Sequence, residues 1–208
     1  MKLRKDDSDT PQFDPYADFE IGTYKALLKD RVILLNSDID KSVIERVVLP
    51  LTMMSQKNSK PIKLLINSPG GSVEDGQMVV DAILTSKAPV ITVAMGKAMS
   101  AAFDIFLAGS YRIVYPNTVL MCHAGSTSMG SLTLPQINQE AELHKLYFLR
   151  WAKFYSSRTK ISEKEWFDLL STGLNRYFFP EESLAKGLCQ EILPIVNKPL
   201  KNLAKFKI

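Results

Sequence analysis

Cysteine is scarce in this chain. Two of its 208 residues, Cys122 and Cys189, are cysteines, and both lie in apolar stretches. They read as two buried thiols in a reducing compartment, with a disulfide or metal pair as the competing reading. Long hydrophobic runs are missing as well: none approaches the roughly 18 residues that a membrane-spanning helix needs. The N-terminus, Met1 to Asp7, is charged and no apolar segment follows it, which argues against a secretory signal. The expectation is a soluble, cytoplasmic protein with no membrane partner. Charge of one sign is also lacking. The net charge of +4 is small and spread out, and no basic stripe is interleaved with aromatics, so nucleic acid is not an expected partner. No repeats or low-complexity tracts occur.

The chain does have enough apolar content, 46% of its residues, for one domain with a sizeable core. Residues 1–20 are polar and aperiodic and read as a flexible arm; the folded domain is expected over 21–196 and a basic tail over 197–208. A short helix is expected over Tyr24–Lys29 and a buried strand over Arg31–Leu35. Helical spacing of Val43, Ile44, Val47, Val48 and Leu51 predicts a helix from Asp40 to about Gln56, followed by a strand over Ile62–Ile66. This strand–helix–strand unit is the right-handed crossover of a parallel sheet, and it repeats. Ser72 caps a helix to about Ser86, with Asp75 positioned for a capping box, and Val90–Ala94 is the next strand. Further on come a helix from Ser100 to Leu107, strands at Arg112–Val114 and Thr118–Cys122, and a Gly/Ser-rich loop over Ala124–Ser131. A long helix is expected from Pro135 to Tyr155. Its two apolar stripes, Leu143/Leu146/Tyr147/Trp151/Phe154 and Phe148/Ala152/Tyr155, would face the core and a neighbouring subunit. The fold class is α/β, with near-continuous apolar strands that imply a sheet covered on both faces.

Two glycine-flanked turns carry chemistry. Asn67-Ser68-Pro69-Gly70-Gly71-Ser72 lies between a strand and a capped helix and exposes backbone N–H groups near a helix N-terminus. Such a turn can hold a phosphate or the oxyanion of acyl transfer, or it can simply be a tight connection; its spacing is not that of a P-loop. Gly96-Lys97-Ala98-Met99-Ser100-Ala101-Ala102 presents a serine with small neighbours at a helix start, where it reads either as a nucleophile or as an N-cap. A serine nucleophile needs a base. Of the two histidines, His144 lies within the long helix, whereas His123 closes a strand, where active-site residues of doubly wound sheets collect. The order of turn, serine and histidine, each at a strand end, raises the catalytic reading over the structural one.

These same residues, Ile66 to Val73, Met95 to Ser100 and Val119 to His123, resemble the ClpP family of self-compartmentalised Clp peptidases. Leu27 to Ile33 and Ala185 to Leu188 extend the resemblance to roughly Gly22–Leu193. It implies a ClpP/crotonase-like fold with a long handle helix, and serine endopeptidase activity on unfolded polypeptides. It further implies self-association into stacked heptameric rings (a tetradecamer, or mixed rings with a paralogue) and an AAA+ Clp unfoldase as partner. No metal or other cofactor is expected. Ser100 would be the nucleophile, His123 the general base, and the N–H groups of Gly71 and Ala101 the oxyanion hole.

The chain departs from the family pattern in places. Asn175, within Gly173 to Tyr177, stands where the family carries the triad aspartate. It could orient His123 by hydrogen bonding without supplying charge, and an Asp→Asn change of this kind cost a serine protease about 10⁴ in kcat. Ala101-Ala102 replaces Met-Gly, Ala124-Gly125 replaces Gln-Pro, and Asp104 occupies an apolar position. These departures fit a divergent paralogue, and leave a catalytically weak structural subunit as the alternative. A crotonase-type acyl-CoA enzyme fits the serine and histidine positions less well. A membrane Ser-Lys peptidase is disfavoured by the proximity of Lys97 to Ser100 in sequence.

Overall fold

The computed structural model describes residues 15–125 and 131–196. Of the segments expected above, the arm as far as residue 14, residues 126–130 of the Gly/Ser-rich loop and the tail 197–208 lie outside the described residues.

The alternation of apolar runs and amphipathic stretches produces a seven-stranded sheet in the order β1-β2-β3-β4-β7, with β5 pairing to β3 and β6 pairing to β5. The strands are β1 (Val32–Leu35), β2 (Ile62–Ser68), β3 (Val90–Met99), β4 (Tyr111–Val114), β5 (Val119–Cys122), β6 (Arg176–Phe178) and β7 (Glu191–Ile192). All pairs are parallel except β5–β6. Cover is less even than expected. Strands β1 and β2 bury alternate residues and leave the others half-covered or exposed, whereas Thr92–Ala94 of β3 and Leu120–Cys122 of β5 form buried runs of three.

Helix α1 runs Pro15–Lys29, so residues 15–20 belong to a helix rather than to the arm; Pro15 suits the first turn because its missing N–H has no intrahelical role there. Arg31, with φ +59°, turns the chain from α1 into β1. Its guanidinium donates to the carbonyls of Met54, Lys60 and Pro61, which holds a conformation that a non-glycine residue otherwise avoids.

The helix expected from Asp40 divides into a π-helical turn at Ile44–Val48 and α2 (Leu49–Lys57). Pro50 is the cause: without an N–H it cannot bond the carbonyl of Arg46. That carbonyl instead accepts from Tyr24 Oη at 2.8 Å, tying α1 to the turn. Helix α3 (Val73–Leu84) starts at Ser72, whose Oγ accepts from Asp75 N at 3.2 Å. The capping box does not close, because the Ser72 N–H that Asp75 would accept is given to Ile39 O at 2.8 Å.

Helix α4 (Ala101–Ala108) is buried along its whole length. Helix α5 (Leu134–Arg158) is longer than expected at both ends, with Thr133 and Gln136 forming a reciprocal cap. Its final turns bury Ala152 and Tyr155, whereas Leu134, Leu143, Leu146 and Leu149 remain exposed. Helix α6 (Glu163–Ser171) packs on α5 through Trp166, whose ring meets Tyr155 at 5.0 Å, Phe178 at 5.9 Å and Phe103 at 6.2 Å. Helix α7 (Pro180–Ala185) follows β6. No helix among the described residues is long and apolar enough to cross a membrane.

The C-terminal carbonyls of α4 would be orphaned in the core. Two arginines satisfy them. Arg158 donates to Leu107 and Ala108 O. Buried Arg112 donates to Gly109 O at 3.1 Å, Leu188 O at 2.7 Å, Arg158 O at 2.7 Å and Gly187 O at 3.1 Å. Burial, and secondarily the charge of Arg158, lower the Arg112 pKa to about 10, which leaves it cationic at neutral pH. Replacing Arg112 by Met should lower stability by about 3 kcal/mol or more, because buried carbonyls lose their donor. Denaturant unfolding of the variant beside wild type measures this.

Candidate active site

Strand β3 positions the serine. Its first half pairs Ile91–Ala94 with β4 and its second half pairs Lys97–Met99 with β5. Gly96, at φ +81°, lies where the partner changes. The residues read from sequence as a turn after the strand are therefore strand themselves, and the sharp turn falls on Ser100. That residue has φ +53° and ψ −129°, a conformation costing a non-glycine residue roughly 1–3 kcal/mol. Its N–H donates to Met121 O at 2.9 Å and its carbonyl accepts from Phe103 N at 2.8 Å.

The N-cap and nucleophile readings of Ser100 separate here. Ser100 does precede α4, but its hydroxyl makes no cap bond. Ser100 Oγ lies 2.7 Å from His123 Nε2 instead. His123 follows β5, which pairs with β3 through Ala98↔Leu120 and Met99↔Met121, so adjacent parallel strands deliver both side chains to one end of the sheet. Burial lowers the His123 pKa, keeping the imidazole neutral at pH 7, the state a general base requires. His144 lies apart on α5 with Tyr147 and Phe148 as aromatic neighbours.

The Gly70–Gly71 turn packs directly on Ser100. A Cβ on Gly70 would sit 2.6 Å from Ser100 Cβ, 2.7 Å from Met99 O and 3.1 Å from Ala101 N. Gly70 N–H is occupied by Ser68 Oγ at 3.2 Å. Gly71 forms a parallel bridge with Ile39 in which Ile39 N donates to Gly70 O and Ser72 N donates to Ile39 O. In such a bridge the N–H of Gly71 points away from Ile39. The Ala101 N–H, in the first turn of α4, has no intrahelical acceptor. Gly70 thus sets the turn against Ser100 and the Ala101 amide.

Asn175 behaves differently. β5 and β6 pair antiparallel with Cys122 opposite Arg176, and one further step along that register sets Asn175 opposite His123. The Asn175 side chain is nonetheless exposed and donates to Tyr177 Oη at 3.2 Å, its neighbour on the same face of the strand. No hydrogen bond between Asn175 and His123 occurs among the described residues.

A pocket opens beside the pair, lined by Val73, Ala101, Asp104, Cys122, Trp151 and Tyr155 besides Ser100 and His123. Asp104 accepts a short hydrogen bond from Tyr155 Oη, and burial lifts its pKa to about 7. The Cys122 thiol is pushed up to about 12, by burial first and then by Asp104, and stays protonated and unreactive. Both cysteines are free and buried. Among the described residues no three His, Cys, Asp or Glu side chains converge as metal ligands would. The Asp104–Tyr155 pair was not assigned to the site from sequence. Its one signal was a polar Asp104 at a position where the resemblance implies an apolar residue.

A model of the Clp protease family matches residues 17–195. The ATP-dependent Clp protease proteolytic subunit of Deinococcus radiodurans is 31% identical over 174 residues, covering 82% of this chain and 83% of its own. The ATP-dependent Clp protease proteolytic subunit 3 of Streptomyces avermitilis is 30% identical over 175 residues, with 82% and 78% covered. Among solved structures, an asparagine-to-aspartate mutant of ClpP1 from Listeria monocytogenes matches with a TM-score of 0.73 and 26% identity, over 84% of this chain and 97% of that one. An α/β fold of strand–helix crossovers with a long helix, bearing a serine hydrogen-bonded to a histidine, is thus a ClpP fold. The chain belongs to the Clp protease family.

The elbow geometry predicts its own sensitivity. Gly70→Ala should displace Ser100 and the Ala101 amide together, because the new Cβ meets backbone and a short side chain that cannot yield. Fluorophosphonate labelling of Ser100 in the variant should slow by about 10-fold or more, with the far-ultraviolet circular dichroism of the fold retained.

Proposed function

We propose that this chain is a serine endopeptidase subunit of a Clp-type compartmentalised protease that hydrolyses unfolded polypeptides to short peptides. The observation that carries this reading is the Ser100 Oγ–His123 Nε2 contact of 2.7 Å at a strained strand-to-helix turn. In the proposed mechanism Ser100 Oγ attacks the scissile carbonyl while His123 Nε2 takes its proton. The oxyanion is held by the N–H groups of Gly71 and Ala101. His123 then returns the proton to the leaving amine, and water releases the acyl group by the same steps. Asn175 would orient His123 after exchanging its bond to Tyr177 Oη. It supplies no charge to the imidazolium, so the rate is lower than with a carboxylate.

Family membership supports cytoplasmic action within stacked heptameric rings, as a homo-oligomer or in mixed rings with a paralogue, fed by an AAA+ Clp unfoldase. The exposed leucines of α5 fit a subunit contact, since apolar surface of this extent calls for cover.

A second reading, a catalytically weak or inactive structural subunit of a mixed ring, draws on the exposed Asn175 and its bond to Tyr177. Labelling separates the two: fluorophosphonate modification of Ser100 supports the peptidase, and its absence, alone and mixed with an active paralogue, supports the structural subunit. Ser100→Ala should cut turnover of short fluorogenic peptides by about 10³-fold or more, and unchanged turnover removes Ser100 from the mechanism.

The pH profile tests the base. His123 must be neutral to accept the proton, and burial lowers its pKa. kcat/KM should therefore hold as pH falls toward the ordinary histidine value of 6.5 and decline only below it. Asn175→Asp places a negative charge beside His123, which favours the imidazolium. The acid limb should then move to higher pH while kcat rises about 10-fold or more. An acid limb that stays in place rules out a role for position 175 at the histidine.

A further inference from the structure

Two cavities of very different size meet at one side chain. The pocket bordered by Ser100 and His123 has a free interior of about 20 Å³, room for about one water molecule. A groove between α3 and α5, lined by Gln77, Val80 and Leu84 on one side and by Tyr147, Trp151 and Phe154 on the other, has about 330 Å³. Trp151 is the one residue that lines both. Val73, on the wall of the small pocket, precedes Gln77 by four residues on α3, so the two share a face of that helix. One face of α3 therefore carries both cavities, and Trp151 divides them.

The floor of the small pocket cannot retreat. Tyr155 is buried, its hydroxyl is bonded to Asp104, and its ring packs edge-on against Phe103 at 5.4 Å and Trp166 at 5.0 Å. Ala101, Asp104 and Cys122 are buried as well. A close-packed interior yields to an inserted group only at a cost in strain. Trp151 is half-buried, and its ring stacks on Tyr147 at 5.5 Å and on Phe148 at 6.2 Å. These contacts on its own helix favour one placement of the indole. The small pocket is thus small because its floor is fixed and because Trp151 closes the side that faces the groove.

We propose that Trp151 sets the cleavage preference, restricting the residue on the amino side of the cleaved peptide bond to one no larger than alanine. The residue whose carbonyl is attacked carries the side chain closest to the nucleophile. A methyl group fits where one water fits, whereas each further methylene must displace the stacked indole. Truncating Trp151 removes the partition and gives a longer side chain the space of the α3–α5 groove. This rests on the reading of Ser100 as the nucleophile; an indole that only packs along α5, with no bearing on substrate, is the contrary case.

The full-length assembled protein is assayed with fluorogenic tetrapeptides that differ only in the residue before the leaving group: alanine, 2-aminobutyrate, norvaline or norleucine, each one methylene longer than the last. In wild type kcat/KM should fall along the series, with alanine favoured over norleucine by about 10-fold or more. Trp151→Ala should bring the alanine-to-norleucine ratio to one or below. Trp151→Leu keeps an apolar side chain on α5, should move the ratio in the same direction, and serves if Trp151→Ala does not fold. A wild-type ratio near one, or a ratio that survives truncation of Trp151, overturns the proposal.

A binding measurement covers the case in which turnover fails. Labelled tetrapeptides ending in alanine or norleucine are titrated by fluorescence anisotropy into Ser100→Ala, and into Ser100→Ala combined with Trp151→Leu. Binding of the alanine peptide about 10-fold tighter than the norleucine peptide, lost in the double variant, supports the proposal; equal binding, or binding of neither, overturns it. Fluorophosphonate labelling of Ser100 in wild type reports separately on the nucleophile. Labelled serine without a preference for alanine sinks the inference alone, whereas unlabelled serine with Trp151-dependent binding sinks the peptidase reading alone.

Discussion

The Gly70–Gly71 turn runs so close to Met99, Ser100 and Ala101 that no side chain fits between them: a Cβ at Gly70 would stand 2.6 Å from Ser100 Cβ. The same turn is anchored on its far side, where a Cβ at Gly71 would stand 2.2 Å from Ile39 O. The glycine backbone is thus wedged between the segment after β1 and the elbow after β3. This wedge supports a positive φ at Ser100 that the residue would not adopt unaided. It also sets the Gly70 backbone against the Ala101 amide. Gly76 continues the close approach one turn on, since its Cβ would meet Ala101 Cβ at 3.0 Å, so α3 and α4 abut where both begin.

Helix α4 carries this elbow at its start and must be held rigid at its end. Arg112 and Arg158 do so by filling the carbonyls of Leu107, Ala108 and Gly109, and Arg112 joins them to the Gly187–Leu188 turn. The chain buries two charged groups against the same helix and treats them in opposite ways. Arg112 is surrounded by carbonyl acceptors that satisfy its planar fork. Asp104 is given a single hydroxyl. Structural demand explains the first arrangement, because orphaned helix carbonyls cannot stay unpaired in a core. The second meets a smaller demand of the same kind, since an apolar residue at position 104 would leave the buried Tyr155 hydroxyl without its acceptor.

The sheet was legible because buried strands are short apolar runs bounded by turn residues. β2 and β4 lie within a residue or two of their expected bounds for that reason. Element ends failed where one residue type supports two readings. Gly96 read as the start of a turn, yet it lies inside β3, at the change of sheet partner. Pro50 fell within a good helical period, and only the pairing of Arg46 O with Tyr24 Oη shows how the missing N–H is accommodated. In the site, order along the chain and strand-end position brought the glycine turn, Ser100 and His123 to notice, while the roles expected of Gly71 and Ala101 came from the family resemblance. Side-chain direction was not accessible. The register sets Asn175 across from His123, but whether an amide turns to an imidazole or to Tyr177 depends on rotamers and neighbours that no spacing encodes. The Arg112 network and the Asp104–Tyr155 bond, with partners as many as 76 and 51 residues away, leave no periodic trace.

The remaining question of charge is where the negative group serves best. In a Ser-His-Asp site the carboxylate stands behind the imidazole and stabilises it once protonated. Here the pocket holds a carboxyl, Asp104, but its bond is to Tyr155 Oη, and no hydrogen bond joins it to His123 among the described residues. Its effect reaches Tyr155 and Cys122, which line the pocket with it. The bond of His123 among the described residues is the one to Ser100 Oγ, so in the proposed mechanism the base is held by Asn175 or by its strand-end position alone.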